Sequence, residues 1–438
     1  MKILHIAVHM GAGAGKAISG LALSDDRNTH KILLLEKPEK TDHLDRCRAK
    51  GVNVIISPSR EQMVREVLEA DVVILNWWHH PLTYKTLMEL SDVPSRIVLW
   101  SHVNGLYYPR LKPDMVGYFD ACMFTSKASL ENQDWSEEEK ECIHKKSTLV
   151  YGMGDFEPGS FREKPEYSLS QEISVGYVGT LDYAKLHPDF VNWLKEVVDF
   201  SPKVCFKIAG DPAPELEEDI RKAGLSENVE LLGFRTDIPE LLCKWDIFIY
   251  PLNPLNFATT ENALLEAMAA GLPIIASDGI VERSIIEDKE TGFLVSDAAT
   301  FAKRMDTLLQ DKNLREKMGQ NARCAVVETY NGAANLGRFH EVVNTVMTHP
   351  KTKHEIASVI GTEALSWFLS GCGTEETKLL KELSQSRPGE AGWQKAAVKL
   401  TGLSRIYKGN AKGSIKQYSR YYPEDKGLST LTKIMEEA

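Results

Sequence analysis

The stretch Phe248–Asp278, FIYPLNPLNFATTENALLEAMAAGLPIIASD, is the most informative part of the sequence for the fold. The apolar run Trp245–Tyr250 leads into it and is stopped by Pro251, as is typical of a buried parallel strand. A polar loop follows, and then Ala263–Ala270, which is rich in strong helix formers. The apolar run Ile274–Ser277 returns to the sheet. This order of strand, loop, helix and strand predicts part of a parallel α/β sheet.

The start of this helix is the first candidate for a binding site. We expect the helix to begin near Glu261, capped by Thr259 or Thr260, because a hydroxyl there can accept a hydrogen bond from an unpaired amide. Free amides and the helix dipole favour an anion at such a start. Glu266 lies one to two turns further on, where a carboxylate can bind a neutral hydroxylated group such as a ribose. The stretch therefore predicts a nucleotide-sugar site, with phosphate or sugar at the amides of Thr259, Thr260, Glu261 and Asn262.

The segment Leu264–Ser277, LLEAMAAGLPIIAS, resembles the donor-site sequence of retaining GT-B glycosyltransferases of the family 4 type. That family has two glutamates separated by seven residues, of which the second holds the donor ribose. Glu266 matches the second glutamate, whereas the first falls on Ala258. Glu261 is close in sequence but out of register. The absence of the first glutamate, at Ala258, affects sugar recognition more than it affects the fold.

The resemblance implies an α/β fold with two Rossmann-like, doubly wound domains that face a cleft. It extends from residue 1 to about residue 346 and is strongest over 173–296. The expected organisation is an acceptor domain over 1–165, a nucleotide-sugar donor domain over 172–330, a crossover helix over 331–348 and a mainly helical extension over 350–438.

Composition limits the other functions. A chain of 438 residues is long enough for two or three well-buried domains, and its net charge of −10 argues against general nucleic-acid binding. No stretch approaches the ~18 consecutive apolar residues of a membrane span, and the N-terminus has the pattern of a strand rather than of a signal peptide. The seven cysteines are widely spaced, without metal-ligand spacing. We therefore expect a cytoplasmic protein with reduced thiols, no metal and no other cofactor.

Apolar runs alternate with helical patterns in the first domain, which predicts a parallel sheet. The predicted strands are Lys2–Val8, His30–Leu35, Val52–Ile56, Val72–Leu75, Arg96–Trp100, Cys122–Thr125 and Thr148–Val150. A run of glycines follows the first strand, and a phosphate-binding P-loop is excluded because Met10 and Ala17 occupy positions that require Gly and Ser or Thr. The run is either a tight turn or an acceptor-binding loop, and the resemblance favours the loop, with Gly11, Gly13 and Gly15.

Two aromatic and polar clusters follow predicted strands of this domain, Asn76–His80 and Trp100–Tyr108. We expect their Trp and Tyr rings to stack on sugars, because these rings have flat apolar faces and polar edges. The adjacent His79 and His80 point different ways, which disfavours a metal site. His102 resembles the cleft histidine that the family places beside the donor sugar, and Asn104 follows in the same cleft loop. The alternative is a structural histidine at the end of a strand.

The second domain opens with the strand Ile173–Val178, followed by Gly179-Thr180-Leu181 and Lys185. The family has Gly-Arg-Leu here and a lysine several residues on, and the two cations grip the diphosphate leaving group. Lys185 matches that lysine, and Thr180 replaces the arginine. The cations that are candidates to compensate are Arg235 and Arg283. The alternative for Lys185 is a solvated loop lysine.

The segment from Thr401 to Tyr422 reverses the acidic character of the chain. It holds five cations and no acid, with tyrosines between the cations. We expect it to contact an anionic surface, either the inner face of a membrane, a lipid-pyrophosphate acceptor or an acidic glycan. The alternative is a solvated face.

The function implied by these features is transfer of a hexose-type sugar from a nucleotide-sugar donor to a glycan or lipid-linked acceptor. Retention of configuration and a role in bacterial-type surface polysaccharide or glycoconjugate synthesis follow from the resemblance. Lys185 and His102 are the expected catalytic residues. A GT-B nucleotide-sugar epimerase and an inactive binding or scaffold protein stay open, as do the donor and the acceptor.

Overall fold

The computed structural model describes residues 1–153, 157, 161, 173–387, 393, 398 and 413–436. The chain divides into two compact units. The first unit contains Met1–Asp155 and Ala333–Ala438, and the second contains Phe156–Gly332. The C-terminal extension is therefore part of the same unit as the N-terminal domain. Most of the predicted linker over 151–171 lies outside the described residues.

The described part of the first unit is built on a seven-stranded parallel sheet with the order β3-β2-β1-β4-β5-β6-β7. Its strands are β1 (Lys2–Ala7), β2 (Thr29–Leu34), β3 (Asn53–Ile56), β4 (Val72–Trp77), β5 (Ile97–Ser101), β6 (Ala121–Phe124) and β7 (Ser147–Leu149). The helices between them are α1 (Ala12–Ser24), α2 (Asp42–Ala49), α3 (Arg60–Glu69), α4 (Pro81–Glu89), α5 (Pro113–Tyr118) and α6 (Glu137–Lys146). Every residue of β4 and β5 is buried, as expected for apolar runs covered by helices on both faces.

Within residues 173–332 the second unit has a six-stranded parallel sheet with the order β10-β9-β8-β11-β12-β13. Its strands are β8 (Ser174–Val178), β9 (Cys205–Ala209), β10 (Val229–Gly233), β11 (Ile247–Tyr250), β12 (Ile274–Ser277) and β13 (Gly292–Val295). Its helices are α7 (Phe190–Phe200), α8 (Pro214–Lys222), α9 (Ile238–Leu242), α10 (Asn262–Ala269), α11 (Ile280–Arg283), α12 (Ala298–Gln310) and α13 (Lys312–Thr329). The prediction of two doubly wound α/β domains is confirmed.

The strand order reverses once in each sheet, between β1 and β4 in the first and between β8 and β11 in the second. Loops that leave the carboxyl ends of two such strands diverge and open a crevice, which is where doubly wound folds bind ligands. The loop that contains Lys185 leaves β8, and the segment that leads to α10 leaves β11. The candidate donor residues therefore lie at the switch point of the second sheet.

The C-terminal region of the first unit is helical, as predicted. Its helices are α14 (Gly332–Met347), α15 (Ala357–Ile360), α16 (Ala364–Ser370), α17 (Thr374–Ser384), α18 (Ile415–Tyr421) and α19 (Lys426–Glu436). The side chain of Tyr418 on α18 is fully buried and contacts His79 and Phe368. Among the described residues, no helix combines the length and the apolarity that crossing a bilayer requires.

A buried polar network holds α14 in the first unit. Asp25 accepts hydrogen bonds from Nε2 of His30 at 3.0 Å and from Nε2 of His340 at 2.9 Å. His30 lies on β2 and is hydrogen-bonded to His5 on β1, with 2.9 Å between Nδ1 of His30 and Nε2 of His5. Burial raises the pKa of Asp25, but hydrogen bonds from His30, Asn28 and His340 outweigh burial and hold this pKa well below its usual range. An ionised, fully buried carboxylate thus joins the crossover helix to the sheet.

We predict that Asp25→Asn lowers the free energy of unfolding by about 3 kcal/mol, because it leaves two buried histidine donors with a neutral and poorer acceptor. Folding depresses the pKa of Asp25, so its stabilisation is present above the unfolded pKa of about 3.9 and is lost as the pH falls below it. Urea denaturation at pH 7 and pH 3.5 measures both effects. The exposed neighbour Asp26 gives the matched control Asp26→Asn, with an expected change within about 0.5 kcal/mol. Equal stability of the two variants at pH 7 would contradict the network.

Candidate active site

The loop after β8 is fixed by its own backbone and by the segment that follows β11. The carbonyl of Asp182 accepts from the amides of Lys185 and Leu186 at 2.8 and 2.7 Å. The carbonyl of Lys185 in turn accepts from the amide of Asn253 at 2.7 Å, and Asn253 donates its side-chain amide to the carbonyl of Tyr183 at 3.0 Å. Lys185 is therefore held at the carboxyl edge of the sheet by a well-bonded backbone.

The ammonium of Lys185 is paired with a buried carboxylate. Nζ donates to Oε2 of Glu261 at 3.1 Å, and the hydroxyl of Tyr250, the last residue of β11, donates to the same oxygen. The ammonium also lies 5.4 Å from the centroid of the Tyr250 ring. The side chain of Glu261 is 1% exposed and that of Lys185 is 20% exposed. Lys185 is thus not a solvated loop lysine, which was the alternative.

The backbone of Glu261 explains where helix α10 starts. Glu261 adopts a left-handed conformation, with φ 50° and ψ 57°, and is itself the N-cap residue of α10, without a side-chain capping bond. The expectation of a threonine cap at Thr259 or Thr260 is wrong, and both of these residues are buried before the helix begins at Asn262. The carboxylate of Glu261 is directed to Lys185 instead of to the free amides.

Glu266 lies on the second turn of α10 and is half-buried, so the structure places it one turn beyond the Lys185–Glu261 pair along the same helix. Thr180 lies on the exposed part of the loop after β8, and Gly179 donates its amide to the carbonyl of Ala209 at 3.0 Å. The predicted donor-binding residues thus come from two neighbouring segments at one switch point, except Arg235, which follows the edge strand β10. Their roles toward a donor stay predictions.

Glu282 is a buried acid that the sequence analysis did not find. It lies on α11, which follows β12, and it is 1% exposed. Burial and then the charge of Glu261 raise the pKa of Glu282 to about 8, whereas Lys185 acts in the opposite direction. Glu282 is therefore protonated at neutral pH, close to the Glu261 carboxylate that is paired with Lys185. No motif marks this residue, and the fold alone brings it to the site.

The two arginines considered as compensating cations have local partners. Nε and Nη2 of Arg235 donate to the two carboxylate oxygens of Asp237 at 2.8 and 2.5 Å. Nε of Arg283 donates to Oδ1 of Asp278, and Nη2 donates to Oδ2 at 2.7 Å; the side chain of Arg283 is 61% exposed. Each arginine thus forms a two-point contact with a nearby carboxylate, which reduces the charge that it offers to a phosphate.

The glycine run of the first unit is not a loop. Helix α1 begins at Ala12, so Gly13 and Gly15 lie inside its first turn and Gly11 is its N-cap residue. A Cβ atom at Gly15 would lie 2.2 Å from the carbonyl oxygen of Met10, which requires glycine for packing. The prediction of an acceptor-binding glycine loop is therefore wrong in its local structure, and close packing explains at least Gly15.

The aromatic cluster at the ends of β4 and β5 is largely core. Trp77 and Trp100 are almost completely buried, and Nε1 of Trp100 donates to the carbonyl of Val150 at 3.0 Å. Tyr108 is also buried and donates to the carbonyl of Gly413. These rings are unavailable to a sugar, so the stacking prediction is wrong for them.

The polar residues of the same edge divide into two groups. His102 is half-buried and donates from Nε2 to Oδ1 of Asn76 at 2.9 Å, because an amide oxygen only accepts. Asn104 is buried, and its Oδ1 accepts from the amide of Leu106 at 2.9 Å, as in a turn. His102 is thus an oriented histidine at the carboxyl end of β5, next to β4, whereas Asn104 shapes its own loop.

His79 is a structural residue. Its Nε2 donates to the carbonyl of Phe368 at 3.2 Å, and its Nδ1 accepts from the hydroxyl of Tyr84 at 2.5 Å. Burial lowers the pKa of His79 to about 3, so the ring is neutral. The described part of the basic segment packs nearby, with Tyr418 buried and Tyr421 bonded to Glu36. Residues 401–412 of that segment lie outside the described residues.

We predict that Lys185→Ala lowers the free energy of unfolding of the second unit by about 3 kcal/mol, because it leaves the carboxylate of Glu261 buried without its cation. The double variant Lys185→Ala/Glu261→Gln should recover much of this loss, since it removes both charges. Urea denaturation of the single and double variants measures the coupling energy. Lys195→Ala is the matched control, because Lys195 makes an exposed pair with Asp199. Additive effects of the two substitutions would contradict the ion pair.

The family model for glycosyl transferases group 1 matches residues 172–311. An α-D-kanosaminyltransferase of Streptomyces kanamyceticus is 28% identical over 209 residues, which are 46% of this chain and 53% of the relative. A UDP-Gal:α-D-GlcNAc-diphosphoundecaprenol α-1,3-galactosyltransferase of Escherichia coli is 31% identical over 148 residues, which are 32% of this chain and 37% of the relative. The chain spans about half or less of the length of these curated relatives.

Solved structures share the fold over most of the chain. Anabaena Alr3699/HepE in complex with UDP and glucose aligns with a TM-score of 0.66 and 17% identity, over 79% of this chain and 100% of its own. A glycosyltransferase from Rickettsia africae aligns with a TM-score of 0.61 and 15% identity, over 80% of this chain and 99% of its own. Such low identities establish the fold alone. The protein has the GT-B fold, and its residues 172–311 match the model of the group 1 glycosyltransferases.

Proposed function

We propose that this protein transfers a hexose-type sugar from a nucleotide-sugar donor to a glycan or lipid-linked acceptor, with retention at the anomeric carbon. The observation that carries the proposal is the pairing of Lys185 with Glu261 at the β8/β11 switch point, with Glu266 further along α10. Binding of a nucleoside diphosphate requires a cation and a helix start for the phosphates and a carboxylate for the ribose, and a switch point is where such groups meet. The match of residues 172–311 to the group 1 glycosyltransferases supports it.

Lys185 acts on the leaving group in this proposal. As the glycosidic bond breaks, negative charge develops on the diphosphate, and an ammonium already held in place stabilises it without reorganisation. Glu261 and Tyr250 keep the ammonium in place before the donor arrives. Thr180 can add a neutral donor from the same loop. Uridine nucleotides are the first probes to use, because the Anabaena neighbour was solved with UDP and glucose.

The acceptor is proposed to be bound by the first unit, where His102 is oriented by Asn76. A lipid-linked acceptor is supported by the Escherichia coli relative, whose name specifies a diphosphoundecaprenol substrate. Surface polysaccharide or glycoconjugate synthesis at the inner face of a membrane fits this chemistry. Lys416 and Arg420 are exposed on α18, as peripheral contact with an anionic membrane requires.

The alternative function is binding of a nucleotide sugar without transfer. It is favoured by Thr180, where the family has an arginine, and by the local carboxylate partners of Arg235 and Arg283. A panel of nucleotide sugars separates the alternatives. Slow release of free sugar supports a transferase, appearance of an isomeric nucleotide sugar supports an epimerase, and binding without turnover supports a binding protein.

We predict that Glu266→Ala weakens binding of UDP at least tenfold, because charge-assisted hydrogen bonds to ribose hydroxyls contribute about 1.5–3 kcal/mol each. Isothermal titration calorimetry measures the affinity, and circular dichroism checks the fold. Glu240→Ala removes an exposed glutamate from α9 of the same unit and serves as the control, with unchanged affinity expected. If folded Glu266→Ala binds UDP as the wild type does, the ribose assignment is incorrect.

A further inference from the structure

Two carboxyl oxygens at the carboxyl ends of β11 and β12 in the second sheet are buried without a hydrogen-bond partner among the described residues. They are Oε1 of Glu261 and Oε1 of Glu282. A buried polar atom without a partner raises the free energy of the folded state, so such atoms point to an occupant that the isolated chain does not contain. The two atoms belong to different elements, the start of α10 and the short helix α11.

The geometry of Glu261 leaves one oxygen for a ligand. Lys185 and Tyr250 both donate to Oε2, which fixes the carboxylate, whereas Oε1 accepts from no described residue. The residue is also held in a left-handed conformation, which is unfavourable for a glutamate. Backbone strain at a fixed, half-satisfied carboxylate is a feature of binding sites rather than of packing.

Glu282 is positioned by a glycine. A Cβ atom at Gly279 would lie 2.0 Å from Oε2 of Glu282, so the carboxyl group lies directly against the backbone before α11. Its other oxygen, Oε1, has no described partner. Because burial and Glu261 keep this group protonated at neutral pH, it can donate a hydrogen bond as well as accept one.

The salt bridge to Lys185 makes Glu261 a group that only accepts hydrogen bonds, whereas the protonated Glu282 can also donate one. The two groups together therefore select the chemistry of their ligand. A hydroxyl group satisfies both, because its hydrogen is donated and its oxygen accepts. A phosphate oxygen satisfies only the second and is repelled by the charge of Glu261.

We propose that Glu261 and Glu282 together bind one hydroxyl group of the donor sugar, which donates to Oε1 of Glu261 and accepts from the carboxyl group of Glu282. This inference rests on the proposed function, since it assumes a nucleotide sugar whose diphosphate contacts Lys185. It makes Glu261 a specificity residue with two contacts, one to the cation and one to the sugar. Ala258 offers no carboxylate to take this role.

The arrangement gives sugar binding a defined pH dependence. The charged and titratable groups that interact electrostatically with Glu282 are Glu261, Lys185, Asp278 and Tyr250. Tyr177 interacts in the same way with Glu261. Burial and Glu261 raise the pKa of both tyrosines well above the usual range, so they stay neutral. Glu282 loses its proton above about pH 8, and a second negative charge then replaces the hydrogen-bond donor.

The test compares each nucleotide sugar with its own nucleoside diphosphate by calorimetry, using UDP-glucose, UDP-galactose, UDP-N-acetylglucosamine and GDP-mannose. The ratio of the two affinities isolates the contribution of the sugar. For the best-bound donor we expect Glu261→Gln to lower this ratio at least tenfold, while its affinity for the diphosphate alone is equal or higher because Lys185 is released. Glu287→Gln, a change of an exposed glutamate on the following loop, should leave the ratio unchanged.

Glu282→Gln provides the second arm, because its amide keeps a hydrogen-bond donor and does not titrate. In the wild type the ratio should fall at least threefold between pH 7 and pH 9, and in Glu282→Gln it should stay level at the wild-type value for pH 7. The inference is overturned if Glu261→Gln has the same ratio of sugar-nucleotide to diphosphate affinity as the wild type. It is also overturned if this ratio in the wild type does not change between pH 7 and pH 9. A wild-type protein that binds none of the four nucleotide sugars and neither diphosphate overturns the proposed function, and the inference with it.

Discussion

The ion pair between Lys185 and Glu261 is the interaction on which the candidate site depends. It joins the loop after β8 to the start of α10, two segments that are 76 residues apart in the chain, at the point where the strand order of the second sheet reverses. A carboxylate that is 1% exposed is stable only with a charge partner and further hydrogen bonds. Lys185 and Tyr250 supply both, and as a result the lysine is oriented before any ligand arrives.

The groups around this pair are neutral at neutral pH. Burial, and then the nearby Glu261, raises the pKa of Glu282, Tyr250 and Tyr177, so Lys185 and Glu261 form the charged pair among them. A diphosphate approaching Lys185 meets a cation whose charge is already partly balanced. The nearby Glu261 thus weakens the attraction between Lys185 and the diphosphate in the ground state. The attraction becomes stronger as negative charge develops on the leaving group.

Much of the fold could be predicted from the sequence, because buried parallel strands are continuous apolar runs bounded by turn residues. The run Ile274–Ser277 was predicted with the limits that β12 has, and β1 ends one residue before its predicted limit. β13 was not predicted as a strand, although its sequence, Gly292–Val295, lies in the part that resembles the family. Local patterns therefore located most strands, whereas the strand order and the switch point of each sheet come from the structure.

The site was less predictable, because long-range contacts override local preferences. A threonine cap was expected at Thr259 or Thr260 from capping chemistry alone. Local capping preferences cannot predict that Lys185, which is distant in sequence, pairs with the carboxylate of Glu261. The rings of Trp77 and Trp100 were expected to face a ligand, yet both are buried in the core. β4 extends to Trp77, beyond its predicted end at Leu75, and Trp100 already lay at the end of its predicted strand. Glu282 carries no local signal at all.

A crystal structure of the protein with bound UDP would show whether Lys185 and Glu266 hold the nucleotide. We expect a diphosphate oxygen within about 3.2 Å of Nζ of Lys185, ribose hydroxyls at the carboxylate of Glu266 and an intact contact between Lys185 and Glu261. A diphosphate bound away from Lys185, with the ribose far from Glu266, would contradict it.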